Sequence, residues 1–338
     1  MVQFLRLKIK TNKPRRLWMV AAAVAGAAFA ASLGAWAAQQ GETPAPPVIK
    51  VTSEVVNVYA VVRGKHGRLV PDLTKKDFEI TDDGVPQTIK YFSRSTKTPL
   101  TLALLVDTSP SQERVLGVEK EEAKAFLHQV LRKEDMACVV HFDLEVGLLQ
   151  DFTEDLVRLD RGIDSAVING GAYGPTPGTF PDQSACCTYL YNAVYLASHS
   201  LLSQQIGRKV IILLTDGQDA GSTKTLRQAL DAAQRADVII YSLDISDPSF
   251  YGGGFAFEGD SVLKQLSNQT GGHVVDIRRA KQMSEAFAEI AEELRTQYQL
   301  GFVPNPTPTD SSFHRLEVRV TGGHYKVQAR LGYYPRPQ

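Results

Sequence analysis

The chain has 338 residues, 43% hydrophobic and 8% aromatic, which is enough for one large globular domain and a smaller one. Its 37 basic and 37 acidic side chains cancel, yet Arg6, Lys8, Lys10, Lys13, Arg15 and Arg16 all precede the first acid, Glu42. Setting those six aside leaves the remainder at about −6, which argues against nucleic acid as the main partner.

The basic start runs into Leu17-Trp18-Met19-Val20 and an alanine-rich apolar stretch to Ala38. Residues 1–38 read as an export signal, with Ala35-Trp36-Ala37 as the cleavage candidate. The stretch is long for a signal, so an uncleaved membrane anchor through residues 17–38 is the alternative. Either way the expected location is exported: periplasmic or secreted, or held at the membrane by that segment. Arg15-Arg16 alone does not define twin-arginine export. Residues 39–48, with Pro44, Pro46 and Pro47, read as a linker.

From 49 to 97 the chain is β-rich. Val51, Ser53, Val55, Asn57, Tyr59 and Val61 alternate with apolar residues of the opposite face, and Gly64-Lys65-His66-Gly67 and Asp82-Asp83-Gly84 mark turns. Thr74 and Asp77 are spaced to cap a short helical turn. So few hairpin residues form a core too small to stand alone.

At Leu100 the pattern becomes strand–helix alternation. Leu100–Val106 is a continuous apolar run, as expected of a central strand covered on both faces. Ala123, Phe126, Leu127, Val130 and Leu131 then recur at helical spacing. Strands are expected at Ala137–Phe142, Lys209–Leu214, Val238–Leu243 and His273–Ile277, with an antiparallel Val146–Leu149 after the turn at Asp143-Leu144-Glu145. Helices are expected over Leu156–Val167, Thr188–Ser203, around Leu226–Ala233, Ser261–Asn268 and Met283–Leu294. The fold class is therefore α/β, a doubly wound, mostly parallel sheet with helices on both faces, spanning 98–295. Residues 296–338 return to β (Tyr298–Val303, Phe313–Thr321, Tyr325–Tyr333) and are expected to pair with 49–97 as one small flanking β domain.

Open parallel sheets place their sites outside the carboxyl ends of the strands. Here those ends carry Asp107 with Ser109 and Ser111, then Asp143, Thr215-Asp216 and Asp244, while Thr188 opens a helix after a long loop. One such aspartate is ordinarily a helix cap. Several together with an Asp-x-Ser-x-Ser loop point to a cation. Oxygen donors without His or Cys select Mg²⁺ or Mn²⁺, with Ca²⁺ also accommodated, rather than zinc.

At this point the chain resembles the von Willebrand factor A domain with its metal-ion-dependent adhesion site. Asp107-Thr108-Ser109-Pro110-Ser111 stands where that family has Asp-x-Ser-x-Ser, Thr188 at its single threonine, and Asp216 within Leu214-Thr215-Asp216-Gly217 at its final aspartate. The flanks, including Leu73–Glu79, Asp83–Ile89 and Leu331–Pro335, are similar to an exported bacterial branch of Acidobacteria type. The resemblance implies a magnesium-type ion on Asp107, Ser109, Ser111, Thr188 and Asp216, and binding rather than catalysis. The ion's open position would take a carboxylate from a protein or peptide partner. Two departures stand out: Cys186-Cys187 precede Thr188 where relatives often carry glycines, and Pro110 separates the two serines.

The three cysteines allow at most one internal disulfide, and Cys138, inside an apolar strand, reads as a buried thiol. Loops 170–185 and 247–260 carry Tyr173, Phe180, Phe250, Tyr251, Phe255 and Phe257, either as partner contacts or as locally packed insertions. Enzyme signatures are lacking: no second aspartate of a DxD pair, no GxSxG elbow, no GxxxxGK[ST] loop. His141 near Asp143 would be the base of a hydrolase, but a buried or capping role suits it better. The expected function is a cation-dependent adhesion or scaffold module. The alternatives are a structural subunit of an envelope assembly with a stabilising or vestigial ion, and a metal-dependent hydrolase.

Overall fold

A computed structural model describes residues 55–94, 98–169, 188–245 and 256–335. The expected leader, the linker, Cys186-Cys187 and most of the two aromatic loops lie outside those residues. Among the described residues no helix is long and apolar enough to cross a membrane.

The central strand β5 (Leu100–Asp107) is buried at all eight positions. It sits between β8 (Arg208–Thr215) and β6 (Met136–Phe142), both parallel to it. β9 (Val238–Asp244) and β10 (Val274–Asp276) extend the sheet beyond β8 in parallel, and β7 (Val146–Thr153) closes the other edge antiparallel to β6. The order is β10-β9-β8-β5-β6-β7. The chain leaves β5 toward β6, then returns to its other side at β8, so the winding reverses between β5 and β8. That reversal opens a crevice at the strands' carboxyl ends.

Residues of β5 alternate between the two helical layers. Leu100, Leu102, Leu104 and Val106 pack with α1 (Leu116–Val130), α2 (Leu156–Asp164) and α6 (Ala280–Thr296). Ala103 and Leu105 pack with α3 (Leu190–Leu196), α4 (Leu226–Arg235) and α5 (Ala256–Thr270). Two apolar layers on one strand explain the unbroken hydrophobic run, and each buried leucine there stabilises the fold by about 1.5–3 kcal/mol.

The β segments on either side of this unit pair with one another. β1 (Val56–Arg63) runs antiparallel to β11 (Tyr298–Phe302) and β13 (Lys326–Ala329), with β4 (Ile89–Arg94) beyond β11. β2 (Phe78–Asp82) joins β3 (Val85–Gln87) to β12 (His314–Val320), and β14 (Gly332–Tyr333) completes that second sheet. Val56, Val58, Phe78, Ile80, Tyr298, Leu300 and Leu316 form their shared core. In β1 the even-numbered residues 56, 58, 60 and 62 are buried, while Asn57 on the opposite face is exposed. The Thr74–Asp77 cap is present, with the Thr74 N–H donating to Asp77 Oδ2 at 2.7 Å. Arg63 of β1 reaches α6, donating to Glu289 at 2.6 Å and to the fully buried Glu293.

Several element boundaries differ from expectation: α5 begins at Ala256 rather than near Ser261, and the strand expected over Tyr325–Tyr333 divides into β13 and β14 in separate sheets. α2 ends at Asp164 rather than Val167, and β7 runs on to Thr153 rather than Leu149. The helix expected from Thr188 begins two residues later, at Leu190, because Thr188 forms a bridge with Ala220. Its second half then widens to a π turn over Ala197–Leu201 and tightens to a 3-10 turn over Leu202–Gln204. Residue spacing carries no signal for such a change of pitch.

Candidate metal centre

The crevice between β5 and β8 is where Asp107 and Asp216 arrive, one at the end of β5 and one just past the end of β8. Asp107 is fully buried and Asp216 is 2% exposed. Asp107 Oδ1 accepts the Ser109 N–H at 2.9 Å, and Oδ2 accepts the Thr215 hydroxyl at 2.5 Å. The Ser111 hydroxyl donates to Asp216 Oδ2 at 2.7 Å and lies 3.0 Å from the Ser109 hydroxyl. Gln112 Nε2 donates to both Ser111 Oγ and Asp216 Oδ2 at 3.2 Å. Four of the expected ligands, Asp107, Ser109, Ser111 and Asp216, are thus drawn into one hydrogen-bonded arc.

Backbone geometry fixes that arc. Ser109 is extended, as the residue before a proline should be, and Pro110 opens a short 3-10 turn ending at Gln112. After Asp216 the chain turns through Gly217 at φ +76°, where a Cβ would lie 2.5 Å from the Gly259 carbonyl oxygen. No other residue fits that turn without displacing α5.

Thr188 is buried beside these groups, though less directly. Its carbonyl accepts from Ala220 N at 3.0 Å, while the next residue, Tyr189, donates from its N–H to the Asp143 carbonyl at 2.9 Å. It therefore sits between the tip of β6 and the loop that follows Asp216. Among the described residues its hydroxyl makes no hydrogen bond to the other four.

Electrostatics bear on whether a cation fits. Burial, followed by the charge on Asp216, raises Asp107 to about 7, against the opposing hydrogen bonds from Ser109 and Thr215. Among the described residues no lysine or arginine pairs with Asp107. Among the described residues the donors gathered here are two buried carboxylates and two serine hydroxyls, a hard, oxygen-only set. Burying such a set costs free energy, and a divalent cation bound there would offset that cost. The residues present therefore fit a magnesium-type ion.

Asp143 at the tip of β6 differs. Burial pushes its carboxyl up, but hydrogen bonds from His141, Thr108, Glu145 and Asn169 outweigh it and hold the group below its ordinary value. Thr108 Oγ1 donates at 2.6 Å, Glu145 N at 3.1 Å and Asn169 Nδ2 at 3.2 Å. His141 Nδ1 lies 3.2 Å from the Thr108 hydroxyl and 3.5 Å from Asp143 Oδ2. Its ring covers Gly147 so closely that a Cβ there would sit 2.2 Å from Nε2. Cys138 is buried and free, with burial pushing its thiol well up.

Sequence reasoning passed over three side chains of this region. Gln112 and Thr215 hold the acids, and both lie inside or next to quoted motifs. Glu119 is fully buried on α1, at a core position of the helix, so an acid within an apolar stripe was the available signal. Two other groups of metal-capable side chains occur among the described residues. In one, His314 Nδ1 bridges Asp82 and Asp83 at 3.2 and 3.0 Å; in the other, Arg63 already occupies Glu289 and Glu293 beside His273.

No protein-family model matches this chain, and no curated protein does. Solved structures with a similar course of chain include the conserved hypothetical protein BatB of Bacteroides thetaiotaomicron, at 16% identity and TM-score 0.42, covering 57% of this chain and 99% of that one. Proximal thread matrix protein 1 of the mussel byssus is 14% identical at TM-score 0.46, over 61% of this chain and 48% of its own. A von Willebrand factor type A structure from Catenulispora acidiphila is 12% identical at TM-score 0.43, covering 75% and 73%. The strand order and the two helical layers, rather than these likenesses, define the fold.

Proposed function

We propose that this chain is an exported von Willebrand factor A-type binding module of the bacterial, Acidobacteria-type branch. Its site is a metal-ion-dependent adhesion site in which Asp107, Ser109, Ser111, Thr188 and Asp216 hold Mg²⁺ or Mn²⁺. The observation that carries the reading is the hydrogen-bonded arc from Asp107 through Ser109 and Ser111 to Asp216, at the point where the sheet winding reverses. When bound, the ion offers an electrophilic position to an anionic oxygen. The chain's own residues orient it: Thr215 and Ser109 N fix Asp107, while Ser111 and Gln112 fix Asp216. Three of the five proposed ligands are neutral hydroxyls, so a divalent ion held there would be balanced rather than over-neutralised by Asp107 and Asp216, and a carboxylate from a protein or peptide could still join it.

We read the module as one of binding, not catalysis. His141, the histidine at the neighbouring strand end, is engaged by Thr108 and Asp143 rather than turned to the arc. The test uses immobilised peptides with and without a glutamate. Retention of the protein by the glutamate peptide is expected in Mg²⁺, and it is lost in chelator and in Asp107→Ala. Retention that survives chelator would contradict the reading.

A further inference from the structure

Helix α1 turns one face to the sheet, and the buried residues of that face are Leu116, Glu119, Ala123, Phe126, Leu127 and Val130. Five are apolar and the remaining one is a glutamate. Glu119 is fully buried, and neither of its carboxylate oxygens has a hydrogen-bond partner among the described residues. An acid in that condition does not help the helix pack, because an apolar side chain of similar volume would fill the position without the desolvation penalty.

What surrounds Glu119 gives it a different role. Burial raises its carboxyl well above the ordinary value, and the next largest influences are the charges of Asp107 and Asp216. It therefore lies within the field of the two aspartates of the candidate centre. Gln112, at the end of the 3-10 turn that precedes α1, donates through Nε2 to Asp216, and its own Oε1 is buried without a partner. Gln112 Oε1 and both Glu119 oxygens are thus three buried acceptor atoms that nothing described satisfies. Acceptors left over beside two buried acids call for positive charge or for the donors that a hydrated cation brings.

We infer that Glu119 is a third acid of the cation centre, a positioning residue that acts on the ion from α1 and strengthens its binding. The inference rests on the cation reading above. In the metal-free chain an ionised Glu119 would add to the repulsion between Asp107 and Asp216; with a divalent ion in place the same charge would become favourable. A site of three acids favours small doubly charged ions more strongly than a site of two.

The test titrates Mg²⁺ and Mn²⁺ into the full chain by calorimetry and records melting with and without chelator, for wild type, Asp107→Ala, Glu119→Gln and Glu119→Met. Both Glu119 variants are expected to fold, to melt in chelator at or above the wild-type temperature, and to bind Mg²⁺ about tenfold more weakly, as loss of a supporting group at a metal site ordinarily does. Weakening of less than about threefold, with Asp107→Ala still abolishing binding, would overturn this inference and leave the cation reading standing. Failure of both variants to fold would also overturn it, since a carboxylate that serves the ion is not needed to fold the metal-free chain. A wild type that takes up no cation would overturn both.

Discussion

Asp107 and Asp143 end adjacent parallel strands and are both fully buried, yet their surroundings push them in opposite directions. Asp143 sits among donors, with Thr108, Glu145 and Asn169 all pointing hydrogens at it, and its carboxylate is stabilised by the protein itself. Among the described residues Asp107 is held by Ser109 and Thr215 and faces a second buried acid, Asp216; burial and that neighbour outweigh those hydrogen bonds and raise its carboxyl. Equal burial therefore says little about role. An aspartate saturated by protein donors is a structural element, whereas one that the protein leaves under-compensated is prepared for a ligand.

The comparison breaks most visibly when each acid is replaced by its amide. In chelator at pH 8, Asp143→Asn is expected to cost about 1–3 kcal/mol in urea unfolding, because its donors lose a charged acceptor. Asp107→Asn under the same conditions should be neutral or stabilising, since it removes a buried charge that repels Asp216. Equal losses in the two variants would erase the distinction.

A smaller effect separates them by pH. Asp107's folded value, about 7, lies above the unfolded 3.8, so between the two the native chain holds more protons than the unfolded one. Its contribution is complete below the unfolded value and is lost as pH rises through about 7. Asp143 is lowered, so its contribution is present above its unfolded value and is lost as pH falls through the folded one. Metal-free stability should therefore decline from about pH 4 to about pH 7, and the decline should shrink in Asp107→Asn. Melting temperatures across that range in chelator measure it; a flat profile in the wild type would contradict the assignment.

The smallest effect concerns Thr108, which lies inside the Asp-x-Ser-x-Ser segment but donates to Asp143 instead of the arc. Thr108→Val should cost about 0.5–1.5 kcal/mol and leave Mg²⁺ affinity unchanged within a factor of about three. A large loss of affinity would show that the two strand tips act as one site.

Much of this was legible in the residues. The apolar run at Leu100–Val106 could only be a strand covered on both faces, and the acids at the strand ends mark the side on which a site forms. The β segments at either end of the described chain share two sheets because neither has enough core alone. The arc's four members stood in recognisable motifs. Other features depend on three-dimensional neighbours that no spacing records. The π turn at Ala197–Leu201 follows no pattern of residue types. The division of labour between Asp107 and Asp143 depends on donors from Asn169 and Thr215, distant in the chain from the acids they serve. Glu119 was readable as an acid on a helix, but its full burial and the influence of Asp107 and Asp216 on it were not.

The buried acids at the ends of β5 and β8 are proposed to seat a divalent cation. Calorimetric titration of Mg²⁺ into the wild-type chain and into Asp107→Asn tests it most directly. Saturable binding at millimolar or lower concentration in the wild type, absent in the variant, is the predicted result. No binding to the wild type, or equal binding to both, would contradict it.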